Sequence, residues 1–318
     1  MVTAISQNRL RRRRSRAAPA GGRQGRAVLL ALTLVVGAML AALPRSFAAE
    51  RVVSLNLCTD QLLLLLADRE QIVSISWLGA DPEESAYAHL ASGLPVNHGQ
   101  AEQILPLAPD LVLAGRYTAP FTVGLLERLG LRVLTLPPAT RLDMLEDHIM
   151  QVASALGQTA RGEALVADIQ ARRAALEAAA PADPVPALVM RAGGFTAGEG
   201  LTHELMTLAG LDNVATRLGL DRWGSLSVET LLRTRPEVLV IPRYRRNAPS
   251  LANNILAHPA LGGFADSRVV VEPRSAQLGC ETPALLDAAE AFSRAARAAR
   301  AADDDTATVG AAATGAAP

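Results

Sequence analysis

The 318-residue chain contains no lysine, only two cysteines and five histidines, and aromatic residues make up 3% of it. Each scarcity excludes something. Two cysteines cannot supply the framework of a small disulfide-stapled domain, and the histidines at 89, 98, 148, 203 and 258 show no metal-ligand spacing. His203-Glu204 opens like a zinc-protease helix, but the second histidine is missing. No Gly-x-Ser-x-Gly turn presents a hydrolase nucleophile. Where a dinucleotide site needs its glycine fingerprint, the chain reads Asn56-Leu57-Cys58-Thr59. No catalytic residue, no resident metal and no cofactor is predicted.

The formal charge is zero, but unevenly laid out. Residues 1–48 hold nine of the 31 basic side chains and no acid, which leaves 22 basic against 31 acidic residues, a net charge of −9. Such an acidic surface does not suit nucleic acid, which needs a positive face. The same 48 residues read as a signal peptide. Arg11 to Arg14 form its basic start, Ala27 to Leu43 its apolar stretch and Ser46-Phe47-Ala48 its cleavage site. The alternative is an uncleaved anchor, for which the apolar stretch is at the short limit. With no cysteine at the cleavage site, a freely diffusing periplasmic protein is expected, as a monomer.

From Arg51 onward, short β-branched runs alternate with helical stretches. Runs at Arg51–Leu55, Gln71–Ser76, Leu111–Ala114 and Arg132–Leu136 read as buried strands, followed by a second set at Ala187–Arg191, Val238–Ile241 and Arg268–Val271. Alternation of this kind predicts an α/β protein of two Rossmann-like lobes with parallel-dominated sheets. Between the sets, Thr159 to Ala180 runs without proline, with Leu165, Ile169 and Leu176 on one stripe. That segment reads as a long helix joining the lobes, or else as a further surface helix of the first. The expected layout is an N-terminal lobe at 49–157, the joining helix at 158–181, a C-terminal lobe at 182–300 and a disordered alanine-rich tail at 301–318.

One segment occurs twice, 127 residues apart. Glu102, Pro109, Asp110, Arg116 and Tyr117 match Glu229, Pro236, Glu237, Arg243 and Tyr244. Each copy reads as a short helix opened by glutamate, a Pro-acid turn, a buried strand, and Arg-Tyr past its carboxyl end, where ligands bind in open α/β sheets. Two such lobes would face their strand ends across one cleft. Every Trp and Tyr falls in or beside a predicted loop, which suits a flat, partly apolar ligand. Trp77, Tyr87, Arg116, Tyr117, Arg191, Trp223, Arg243, Tyr244 and Arg245 are therefore the candidate ligand-binding residues, Arg246 being held more loosely. Their guanidinium groups suit carboxylate or catecholate oxygens. A pair of solvated Arg-Tyr loops is the plainer alternative.

In this order, Arg51-Val-Val-Ser-Leu, the run Glu102 to Leu113, the helical stretch Ile149 to Leu176 with its Leu156-Gly157 break, and Ser227-Val-Glu229 with Arg235-Pro236-Glu237 resemble the periplasmic substrate-binding proteins of iron-siderophore and cobalamin ABC transporters. The resemblance covers Arg51 to Arg300. It implies a non-enzymatic carrier that captures a metal chelate or corrinoid and delivers it to an inner-membrane ABC permease dimer, with modest lobe movement. It places permease docking on Glu102 and Glu229. The loop arginines favour an iron chelate of siderophore type over cobalamin. A free zinc or manganese carrier using His89, His98 and His148, or an exported enzyme, are the more distant alternatives. Cys58 follows the first predicted strand and Cys280 the last, so the two are expected at the cleft, as a cross-lobe disulfide or as two free thiols.

Overall fold

A computed structural model describes residues 48–220, 222–244, 258–260 and 269–314. The predicted signal peptide, apart from Ala48, lies outside the described residues, as do Arg245 and Arg246. The described residues belong to one compact unit.

The first lobe is a five-stranded parallel sheet of β1 (Val52–Ser54), β2 (Ile72–Ser76), β3 (Val96–Asn97), β4 (Leu111–Gly115) and β5 (Val133–Leu136), in the order β3-β2-β1-β4-β5. Its strands are short and apolar on both faces because helices cover both. These are α1 (Leu57–Leu66), α2 (Ala101–Ile104), α3 (Pro120–Arg128) and α4 (Asp143–Leu156). The residue standing where a dinucleotide glycine was sought, Asn56, is the cap of α1. Its Oδ1 accepts from the Cys58 N–H at 2.9 Å.

The joining segment is α5 (Thr159–Ala179), about 32 Å long at 1.5 Å per residue. Its buried residues are Gly162, Ile169 and Leu176, one every seventh position. A Cβ at Gly162 would meet the Ala153 side chain at 2.5 Å, so glycine is what lets α4 and α5 approach there.

The second lobe repeats the first. Strands β6 (Val185–Val189), β8 (Leu211–Asn213), β10 (Val238–Val240) and β11 (Val269–Val271) pair in the order β11-β10-β6-β8, all parallel. In chain order this is the same arrangement as β5-β4-β1-β2. Around it lie α6 (Leu201–Leu208), α7 (Val214–Arg217), α8 (Val228–Thr234), α9 (Ser275–Leu278) and α10 (Ala284–Thr314). Residues 301–314 of the tail expected to be disordered extend the final helix to Thr314. Alanine needs no apolar stripe to stay helical, since its propensity is the highest of all residues. A two-stranded antiparallel pair of β7 (Phe195–Thr196) and β9 (Gly224–Ser225) was not foreseen, nor were β3, β8, α7 and α9. Elements of two to four residues show no period.

One hydrophobic core runs through both lobes. It passes from Leu63 and Ile75 through Leu145, Ile149, Ile169 and Leu176 to Leu205, Val240 and Phe292. The joining helix contacts α4 of the first lobe and α6 and α10 of the second. Burial of that many aliphatic side chains across the junction opposes free movement of one lobe on the other.

The 127-residue repeat is carried into the backbone. Ala108 and Arg235, one repeat apart, are left-handed, with φ of 44° and 47°, Ala108 ending the 3-10 turn Leu105–Leu107 that follows α2 and Arg235 ending α8, each just before the Pro-acid pair. Two non-glycine residues in this strained region at matched positions show that the turn, not the side chain, is what repeats.

Candidate ligand cleft

Loops from both lobes enclose a cavity of about 800 Å³. The first lobe contributes Arg116 and Tyr117, which follow β4, and the segment 137–141, which follows β5. The second contributes Arg191 after β6, the segment 199–205 leading into α6, the pair Arg222 and Trp223 before β9, and the loop around Gly279 and Glu281. Most of the loops named follow strands at their carboxyl ends, the expected ligand position for open α/β sheets.

Part of the charge in the wall is already committed. Glu281 accepts the Ala139 N–H at 2.8 Å, and Glu204 accepts the Leu142 N–H at 2.7 Å, so each ties the second lobe to the first. Arg141 is paired with Asp143 at 2.6 Å. Arg191 differs. It is half-buried, its guanidinium lies 5.9 Å from the Trp223 ring centroid, and among the described residues no carboxylate pairs with it. Burial draws its pKa down from the usual arginine value. Arg191 is thus a partly desolvated cation beside an aromatic ring, an arrangement that could receive an anionic group. Arg116 and Arg222 are exposed and likewise unpaired among the described residues, against one free carboxylate, Glu199.

Of the nine candidate ligand residues, four line the cavity: Arg116, Tyr117, Arg191 and Trp223. The other four described ones do not. Trp77 sits on a short turn after β2 and packs on His98, with ring centroids 6.1 Å apart. Tyr87 lies against Thr282 and Ala284 at the start of α10, where burial first, and then the Asp287 charge, raise its pKa. Arg243 pairs with Glu272 at 3.6 Å. Tyr244 points its hydroxyl at Glu84 of the other lobe, 3.4 Å away. The expected face-to-face clamp of two Arg-Tyr pairs is thus not what encloses the cavity. Arg243 is held at the sheet by a bridge to Arg274, and Tyr244 serves a lobe contact instead.

Sequence reasoning missed Arg141, Glu199, His203, Glu204, Arg222 and Glu281 as cavity residues. The available signal was positional, since Pro137-Pro138 and Gly198-Glu199-Gly200 are turn sequences in the loops that follow strands. The histidines stay apart: His148 is buried in α4, His98 packs on Trp77, and His89 is on the surface. Among the described residues no group of three or more His, Cys, Asp or Glu is placed to hold a metal ion.

Cys58, in the first turn of α1, and Cys280, beside the cavity wall, are joined as a disulfide with Cα atoms 5.0 Å apart. Of the two readings left open by the sequence, this is the cross-lobe bridge. Glu102 and Glu229 are both exposed in the first turn of their helices. Hydrogen bonding from Ser227 holds the Glu229 carboxyl below its usual pKa. No helix among the described residues is long and apolar enough to cross a membrane.

A family model described as periplasmic binding protein matches residues 52–265, most of both lobes. Two curated cobalamin-binding proteins, from two strains of Halobacterium salinarum, are each 29% identical over 196 residues, 60% of this chain and 53% of theirs. The match thus spans about half the length of these relatives. Among solved structures, the apo periplasmic heme-binding protein RhuT from Roseiflexus sp. RS-1 is 26% identical with a TM-score of 0.65, over 78% of this chain and 99% of that one. The periplasmic vitamin B12-binding protein BtuF of Vibrio cholerae shares the fold at 22% identity and a TM-score of 0.60, over 80% of this chain and 98% of that one.

Proposed function

The chain belongs to the periplasmic binding protein family, and from that premise we propose that it is the substrate-binding component of an ABC importer, taking a bulky anionic metal chelate into the cleft between its lobes. The observation that carries this reading is Arg191, whose guanidinium lies 5.9 Å from the Trp223 ring centroid, with no carboxylate partner among the described residues, in the wall of a cavity of about 800 Å³. A cavity of this size fits a large cofactor-like solute better than a bare ion. Trp223 and Tyr117 offer flat apolar faces, while Arg116, Arg191 and Arg222 offer donors to peripheral carboxylates or catecholates. In this reading the protein is exported, works as a monomer in the periplasm, and presents Glu102 and Glu229 to basic residues of an inner-membrane permease dimer.

A corrinoid is the second reading, favoured by the curated relatives, whose printed description is cobalamin-binding. Charge separates the two, because a chelate with peripheral carboxylates needs Arg191 and a ligand whose rim carries neutral amides does not. Native mass spectrometry and tryptophan quenching against a ferric tris-catecholate, heme, cyanocobalamin and Zn²⁺ make the test. The anionic chelates should bind, and Arg191→Ala should weaken them by about tenfold or more, the usual cost of losing a charged hydrogen-bond partner. Cyanocobalamin binding that survives Arg191→Ala, with no heme or catecholate binding, would replace this reading with the corrinoid one; quenching by Zn²⁺ alone would overturn both.

A further inference from the structure

We infer that the Cys58–Cys280 disulfide is a positioning element of the cleft, holding its two walls at one separation so that a ligand enters a cavity already formed. This rests on the reading of the cavity as the ligand site.

Each cysteine is connected, directly or through hydrogen bonds, to residues that line the cavity. On the second lobe, Cys280 lies between Gly279 and Glu281, which both face it. On the first, Cys58 is held by Asn56, and the same Asn56 side chain donates from Nδ2 to the Thr118 hydroxyl at 2.8 Å. Thr118 in turn closes the Arg116-Tyr117 turn, its N–H donating to the Gly115 carbonyl at 2.9 Å. The covalent bond therefore connects the turn that presents Arg116 and Tyr117 to the wall that presents Glu281. Around it lie weaker ties of the same sense: Glu281 to the Ala139 N–H, Glu204 to the Leu142 N–H, and the Thr282 hydroxyl to Gln61 Oε1 at 3.5 Å. Cys280 and Thr282 are almost fully buried, so this contact between lobes is a packed seam and not a surface staple.

A hydrogen bond between a part-exposed carboxylate and a backbone N–H opens and closes readily, whereas a disulfide does not. Without the bond, the shared core would still join the lobes, but at the cavity only hydrogen bonds such as those of Glu281 and Glu204 would set the aperture. With it, they need only align loops that are already adjacent, and little conformational freedom is left for the ligand to remove.

Hydrogen exchange of the Ala139 and Leu142 amides reads the aperture without any ligand. We compare the natural protein with the Cys58→Ser, Cys280→Ser double variant, and with natural protein treated with a phosphine reductant after folding, which covers a failure of the variant to fold. In both forms lacking the bond, exchange over 137–142 should accelerate by about tenfold or more while β4 stays protected. Unchanged exchange over 137–142 would overturn the inference. Whichever of ferric tris-catecholate, heme or cyanocobalamin the oxidised protein binds should bind about tenfold more weakly to the reduced form, through faster release; equal affinity would also overturn it. If none of the three binds the oxidised protein, the chelate reading falls, and the exchange result alone decides the role of the disulfide.

Discussion

The two lobes share a backbone plan and divide the chemistry between them differently. The β2-β1-β4-β5 order of the first lobe matches β8-β6-β10-β11 of the second, and each lobe runs from a glutamate-opened helix through a left-handed turn and a Pro-acid pair into the matched strand, β4 or β10. After that strand they part. In the first lobe Arg116 and Tyr117 reach the cavity; in the second Arg243 and Tyr244 are spent on Glu272 and Glu84. The second lobe supplies its cation from Arg191 instead, two residues past β6, as Asn56 stands two residues past β1. The acids differ too. Asp110 accepts the N–H groups of Glu50 and Arg51 and so pins the start of β1, while the longer Glu237 reaches Arg300 of α10 at 3.5 Å. A repeated fold thus fixes where loops emerge, and each loop's own residues decide what they bind.

The largest asymmetry concerns Asp60, the one carboxylate among the described residues that is fully buried. It accepts the Ser76 N–H at 3.0 Å and the Ser76 hydroxyl, and it lies so close to Gly79 that a Cβ there would meet its Oδ2 at 2.7 Å. These contacts hold the turn that carries Trp77. Burial raises its pKa to about 6, its hydrogen bonds with Ser54, Ser76 and Gly79 only partly opposing this. Because the folded value lies above the unfolded one, Asp60 contributes stability fully below pH 4, and that contribution is lost as pH rises through 6. Relative to Asp60→Asn, the natural protein should lose about 3 kcal/mol of unfolding free energy between pH 4 and pH 7, as an order of magnitude. Denaturant titrations of both proteins across that range check it. A difference that stays flat with pH would mean that Asp60 is ionised in the fold and that the lobes do not differ in this way.

Next in size is the contrast between the matched arginines. Arg116→Ala should weaken chelate binding by about fivefold, and Arg243→Ala by no more than about twofold, because an exposed ion pair to Glu272 contributes little. Isothermal titration of the two variants with the same chelate makes the comparison. Equal losses would restore the symmetric clamp that the repeat suggested.

That clamp marks the limit of what the sequence made legible. Strand positions could be read because valine-rich runs such as Val238–Val240 leave no other solution, and α5 because its stripe is sustained over 21 residues. Repeat arithmetic assigned Arg116 and Arg243 matching places by analogy, and of the two it is Arg116 that lines the cavity. Arg243 instead meets partners far along the chain, Glu272 by its side chain and Arg274 by its backbone, which no local pattern announces. The same holds for Tyr87, drawn toward Thr282, and for Glu281 and Glu204, whose partners are backbone N–H groups of the other lobe. Charge and periodicity are local signals; contacts between lobes are not.

The smallest effect on binding is expected where the lobes agree most. Glu102 and Glu229 occupy equivalent first-turn positions, both exposed, and neither lines the cavity. At a helix start a carboxylate is favoured by the helix dipole, so local stability alone would explain each. Their pairing becomes informative only against a partner that has two matching basic patches, as a permease dimer would. Glu102→Arg and Glu229→Arg should each leave chelate affinity within about twofold of the natural protein, since the charge is changed outside the cavity and is screened by solvent. Each should lower transport in reconstituted permease vesicles, and to a similar extent. A loss confined to one lobe would show that the symmetry of the fold does not extend to docking, and a loss of chelate affinity in either variant would move that glutamate from the docking surface to the ligand site.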